Sequence, residues 1–141
     1  MRSGLVLFEL LLAVVLAGLV AAIAAPRLVS IADAAAVRDE ALRVVAVLDA
    51  ARGASVRLGV VAALALTDTT YRVTAVVGTD TVTAWQQPGP RYRGVTLGGS
   101  GRPIPYGPDG LAMGVANRTF TLAKGNALRR VVMSKYGRLT Y

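Results

Sequence analysis

The sequence contains no cysteine and no histidine among its 141 residues. Without cysteine there is no disulfide framework, and cysteine usage does not report the redox compartment. The two absences also remove the common zinc sites, haem ligation and the pairing of a Ser or Cys nucleophile with histidine. Enzymes can work with neither histidine nor cysteine, but few catalytic chemistries are left to them.

Acidic residues and lysines are scarce as well. Eight acidic residues stand against 16 basic ones, which gives a formal charge of +8, and only Lys124 and Lys135 are lysines. A positive protein attracts phosphate backbones, acidic lipid head groups or acidic proteins, and the sign of the charge does not choose among them. The preference for arginine is also what a GC-rich genome produces.

Apolar residues are in excess, at 54% of the chain, against an average of about 45–50%. Much of the excess lies between Leu5 and Ala25, a run of 21 residues whose one charged residue is Glu9. As a helix this run is about 31 Å long, which matches a bilayer core of about 30 Å. We therefore predict a membrane-spanning or filament-core helix over residues 5–25.

Two other interpretations of this run stay open. A basic start, an apolar run and a small-residue end are typical of a secretory signal peptide. The run is longer than the roughly 7–15 apolar residues of such peptides, it carries a carboxylate, and the helical pattern continues beyond Pro26. A plain signal-anchor helix is the second alternative.

Glu9 is unusual because a carboxylate in a membrane helix costs about 2.5–3.5 kcal/mol on insertion scales and normally has a partner. One interpretation is that Glu9 lies near the interface and reaches water. The other depends on the four residues that open the chain, Met-Arg-Ser-Gly.

This opening, followed by an apolar run with a glutamate five residues after Gly4, resembles the cleavage site of type IV prepilins. In that family a membrane peptidase cuts after the glycine and methylates the new N-terminus. The resemblance implies cleavage between Gly4 and Leu5, N-methylation of Leu5, and pairing of Glu9 with the α-amino group of a neighbouring subunit. Gly18 and Pro26 fall where pilin helices often carry a glycine and a proline, and both loosen or kink a helix.

The chain departs from the common pilin start, since it reads Leu-Val-Leu-Phe-Glu over residues 5–9 and has a short leader with one basic residue. From residue 34 to about residue 58 the helical pattern becomes amphipathic, with charged residues off a narrow apolar stripe. Asp39 and Arg43 have the spacing and order of a favourable i,i+4 ion pair. The stripe, which we expect to cover a sheet, consists of Val37, Ala41, Val44, Leu48, Ala51 and Ser55.

Residues 59–141 show strand patterns and predict a β-rich head domain. The run 60–66 is ambiguous between a helix end and a buried strand. A long connection, 86–110, is expected to hold at most short strands, near 95–97. The other predicted strands are 71–77 and 81–85 as one hairpin, 118–124 and 128–134 as a second, and a final segment at 138–141.

Three stretches of the head, 104–110, 118–122 and 131–138, resemble the GspH/FimT group, which comprises minor pilins and the type II secretion pseudopilin H. The resemblance implies an α+β, pilin-like fold: a leader (1–4), a transmembrane half-helix (5–25), an amphipathic half (26–58) and an antiparallel sheet head. It also implies a minor pilin or pseudopilin near a filament tip. Its expected partners are other pilins, the prepilin peptidase and the bacterial inner membrane, which it crosses once with the head outside the cytoplasm.

The last 24 residues hold six basic residues and no acidic one, which is consistent with a solvated face or with an anion-binding surface. The candidate residues are Arg129, Arg130, Lys135 and Arg138. Some FimT-like minor pilins bind DNA during natural transformation through a C-terminal Gly-Arg-x-Arg. Here Thr140 replaces the second arginine. DNA is therefore an alternative partner.

No catalytic, metal or cofactor site is predicted. Ser134 and Lys135 are neighbours on a predicted strand and point to opposite faces, so they form no dyad. The glycines of residues 98–101 lack the strand, helix and lysine of a phosphate loop. A membrane-anchored ligand-binding protein that only resembles pilins is the remaining alternative.

Overall fold

The computed structural model describes residues 2–114, 117–134 and 136–141, with side chains from Gly4 onward. The described residues form one long α-helix, eight β-strands and one short 3-10 helix. In chain order these are α1 (Arg2–Leu58), β1 (Ala62–Leu66), β2 (Thr70–Val77), β3 (Asp80–Pro88), the 3-10 helix Pro90–Arg93, β4 (Thr96–Gly98), β5 (Ile104–Tyr106), β6 (Arg118–Lys124), β7 (Ala127–Met133) and β8 (Leu139–Thr140).

The strands form two four-stranded antiparallel sheets rather than one. The first has the order β3-β2-β1-β5 and the second the order β4-β6-β7-β8. Both predicted hairpins are confirmed: β2 pairs with β3, and β6 pairs with β7. Strand β3 continues to Pro88, three residues past its predicted end, so the hairpin is longer than its sequence pattern indicated.

Within the ambiguous run 60–66, Ala62–Leu66 forms strand β1, which lies between β2 and β5. Its residues alternate between buried and half-buried. The connection over 86–110 is more regular than predicted, since it contains the 3-10 helix, β4 and β5. Three-residue strands leave no periodic pattern in a sequence, which explains why β5 was not predicted.

The predicted stripe of α1 is confirmed, because all six of its residues are buried. Glu40, Val47 and Ala54 are buried beside it. The buried face is therefore wider than predicted, since α1 contacts strands of both sheets. The core between helix and sheets holds Leu64, Tyr71, Phe120, Leu122, Val131 and Met133 among others.

The predicted ion pair between Asp39 and Arg43 is wrong. Nη1 of Arg43 lies 3.7 Å from Oε2 of Glu40, one turn back on the helix. Glu40 is buried and Asp39 is exposed, so the arginine gains more from the carboxyl that water does not reach.

Candidate assembly surface

The side chains of the N-terminal half of α1 are exposed from Gly4 to Ala32, which is the part of this half whose side chains the structure describes. Each large apolar side chain between Leu5 and Ile31 is 49–73% exposed. This part of α1 is long and apolar enough to cross a membrane. An apolar surface of this extent marks a site that lipid or another protein covers.

The predicted processing and assembly residues all lie on this exposed half. Gly4, Leu5 and Glu9 occupy its first turns, and Gly18 and Pro26 follow along the same continuous helix. Among the described atoms, nothing lies within 4 Å of the place where a Cβ atom would stand at Gly4 or Gly18. Packing within this chain therefore does not require glycine at either position.

The head meets the helix at Asp33. Nζ of Lys124 lies 3.5 Å from Oδ1 of Asp33. The turn between β6 and β7 approaches the same carboxylate, because a Cβ added to Gly125 would lie 2.5 Å from Oδ2 of Asp33. Gly125 also has a φ of 53°, which side chains rarely adopt. The hairpin tip is thus fixed on the helix just before the first fully buried residue, Val37.

A buried carboxyl group links the helix to two parts of the head. The hydroxyl of Tyr71 in β2 donates a 2.9 Å hydrogen bond to Oε1 of Glu40. Oε2 accepts no hydrogen bond from the described residues, but it lies 3.7 Å from Nη1 of Arg43 and 4.0 Å from Nε of Arg93 in the 3-10 helix. Glu40 therefore connects α1 to β2 and to the 3-10 helix.

Burial raises the pKa of the Tyr71 hydroxyl far above its ordinary value, and the nearby Glu40 carboxyl adds to this shift. Burial likewise raises the pKa of Tyr106 to about 12. The Tyr106 hydroxyl in β5 points at Sδ of Met133 in β7, 3.5 Å away, and so connects the two sheets. Both tyrosines stay protonated in the folded head.

Sequence reasoning missed Glu40, because it lies outside the predicted apolar stripe. A buried glutamate in an amphipathic helix leaves no pattern that separates it from an exposed one. In the described ranges no group of three or more acidic side chains comes close enough to hold a metal ion.

The structure does not gather the predicted anion-binding residues on one face. Arg129 shares its face of β7 with the buried Val131 and Met133, whereas Arg130 lies on the opposite face. Arg138 is exposed in the turn before β8, where its backbone N–H bonds the Ser134 hydroxyl.

Lys135, the fourth predicted anion-binding residue, lies outside the described residues. DNA binding by the whole set therefore stays a prediction. The exposed half-helix is the surface that the geometry supports.

No protein-family model and no curated protein sequence matches this chain. Among solved structures, the chain is similar to the type IV minor pilin FimU of Pseudomonas aeruginosa PAO1 in a P21 crystal. That likeness has a TM-score of 0.61 at 16% identity and covers 74% of this chain and 86% of the other. FimU in a P65 crystal gives a TM-score of 0.56 at 14% identity, over 73% of this chain and 90% of the other. The chain therefore has the pilin fold, in which one long N-terminal helix packs on antiparallel β-sheets.

Proposed function

We propose that this chain is a minor pilin or pseudopilin, a structural subunit near the tip of a type IV filament or a type II secretion pseudopilus. Before assembly it is anchored in the bacterial inner membrane by the first half of α1. The observation that carries the proposal is the exposed apolar half-helix on a chain with the pilin fold.

This apolar surface is unfavourable in water. Sixteen large apolar side chains between Leu5 and Ile31 are exposed, and burying one such side chain is worth about 1.5–3 kcal/mol. Lipid tails cover the surface before assembly, and the helices of neighbouring subunits cover it in a filament.

Glu9 is the polar residue that this environment must accommodate. We propose that cleavage after Gly4 creates an α-amino group at Leu5, and that this group on one subunit neutralises Glu9 on the next. An unpaired carboxylate in an apolar filament core would oppose assembly. Subunits therefore associate in the register that brings the amino group of one subunit to Glu9 of the next.

The test is incorporation of a Glu9→Ala variant into filaments, measured by cross-linking to sibling pilins in the producing cells. Removing one partner of a buried ion pair costs about 3–5 kcal/mol, so we expect cross-linked product to fall at least about tenfold. Asp39→Ala is the matched control. It removes the same charge from the exposed side of the head-bound half-helix and should cross-link normally. Equal incorporation of both variants would rule out the proposed role of Glu9.

A further inference from the structure

A cleft of about 380 Å³ opens at the seam between α1 and β7. It is lined by Arg38, Ala41, Leu42, Arg129 and Tyr141, and we call it the seam cleft. Arg38 comes from the exposed side of the helix. Arg129 comes from the sheet face whose next two residues, Val131 and Met133, are buried in the core.

Two arginine side chains thus line the same small space, and none of its described lining residues is an Asp or a Glu. Of the three carboxyl groups on α1 between residues 33 and 40, two are engaged elsewhere, and the third, the exposed Asp39, is not among the residues that line the cleft. Asp33 pairs with Lys124, and Glu40 lies between Arg43 and Arg93. Two like charges beside one recess repel each other, and an anion placed between them relieves that repulsion. The planar donors of arginine suit carboxylates and phosphates.

A lipid head group does not reach this site if residues 5–25 span the membrane. Arg38 follows Ala25 by 13 residues, which places it about 20 Å further along the helix. The head-group zone is only about 5–8 Å deep on each side of a bilayer.

The rest of the lining favours a protein ligand over a nucleic acid. Ala41, Leu42 and Tyr141 give the recess a partly apolar lining, whereas phosphate backbones are bound by rows of basic and polar groups. The neighbouring Arg130 points to the other face of its sheet, so no such row continues from the cleft along β7, all of whose residues are described.

From this arrangement we infer that the seam cleft binds an acidic side chain, with flanking apolar residues, on a neighbouring subunit. The inference rests on the proposed filament function, since it names a second contact between subunits. The first contact involves the exposed half of α1, and the second involves the head. Charge complementarity at the seam cleft fixes how the head of one subunit is oriented against the next.

The experiment uses the full chain in micelles of a nonionic detergent, with backbone amide NMR as the readout. The probe is a short peptide of alternating alanine and glutamate, and a 20-base-pair DNA duplex is titrated in parallel. We expect the peptide to bind saturably, with the largest shifts at Leu42 and Tyr141. The R38Q/R129Q variant should bind about 5–30-fold more weakly, as expected for the loss of two charge-assisted contacts.

The matched control is R57Q/R130Q, which removes the same charge outside the seam cleft and should change affinity less than about twofold. Leu42→Glu is a second variant. Leu42 is exposed, so the change preserves the core while placing a carboxylate in the cleft, where it should compete with the peptide.

Equal weakening in both arginine double variants would show a general charge effect and overturn the inference. Peptide shifts away from Leu42 and Tyr141 would overturn it too, as would DNA binding that depends on the seam cleft. If any of these results is found together with normal Glu9-dependent cross-linking, only the binding role of the seam cleft is refuted. The filament proposal is then left intact.

Discussion

The two halves of α1 belong to one unbroken helix but lie in opposite environments. From Leu5 to Ile31 the large apolar residues are exposed, whereas Val37, Val44 and Leu48 are almost completely buried. The first stretch holds two charged residues, and the stretch from 33 to 57 holds eight. A helix that is apolar on every side has to be surrounded by lipid or protein. A helix with a single apolar face needs only a sheet packed against that face. The comparison shows that the distribution of charge around a helix determines which surroundings it needs.

The same truncation made in each half of α1 should have very different effects on the stability of the head. Leu48 is 1% exposed and Leu16 is 53% exposed. Leu48→Ala should lower the free energy of unfolding of the head by about 2–5 kcal/mol, because it leaves a cavity between helix and sheets. Leu16→Ala should change it by less than about 0.5 kcal/mol.

Urea unfolding of the full chain in nonionic detergent, followed by Trp85 fluorescence, measures both variants. A comparable loss of stability in Leu16→Ala would mean that the exposed half contributes to the head fold, contrary to the described contacts.

The next effect concerns the buried hydrogen bond in the second half. Tyr71→Phe removes the donor to Glu40, and a buried acceptor without its partner costs about 1–3 kcal/mol. Tyr92 is exposed, so Tyr92→Phe should be neutral. Thermal unfolding at pH 7 distinguishes the two variants, and identical transitions would contradict the buried contact.

The same tyrosine predicts a loss of stability in alkali. The folded-state pKa of Tyr71 is raised above its ordinary value of 10.0, and that of Tyr106 is raised to about 12. Above pH 10 the unfolded chain loses these protons and the folded chain keeps them, so stability falls as pH rises. The slope approaches about 1.4 kcal/mol per pH unit for each tyrosine. Tyr71→Phe should therefore show a shallower decline from pH 10 to 12 than the parent chain.

The smallest expected effect lies at the junction of the two halves. Asp33→Asn weakens the contact with Lys124, and partly exposed ion pairs are worth about 0.2–1 kcal/mol. Asp39→Asn is the control, because Asp39 is exposed and forms no ion pair within 4.0 Å among the described residues. Urea unfolding at low and at 0.5 M salt should show a small difference that salt reduces. A difference that persists in high salt would contradict an electrostatic origin.

The sequence predicted the features that depend on local pattern. The helix end at Leu58, the buried stripe and both hairpins follow from periodicity and turn residues, and the structure confirms them. The division into two sheets, strand β5 and the buried Glu40 depend on contacts between residues distant in sequence. The pairing of Glu40 with Tyr71 spans 31 positions, and a local pattern carries no information about it. Likewise, the count of basic residues in the last 24 positions grouped Arg129 and Arg130 on one predicted surface. The alternation of side chains along β7 puts them on opposite faces of the sheet.

The central claim is that the exposed half of α1 is retained in the mature protein as a membrane and filament element. Intact-mass spectrometry of the chain purified from native membranes tests it directly. The account predicts a protein that begins at Leu5 and carries one N-terminal methyl group, with Glu9 and the whole apolar run still present. A chain that begins near Ala25 would show that the apolar half is a removable signal. A chain that still carries Met1 would contradict the prepilin processing.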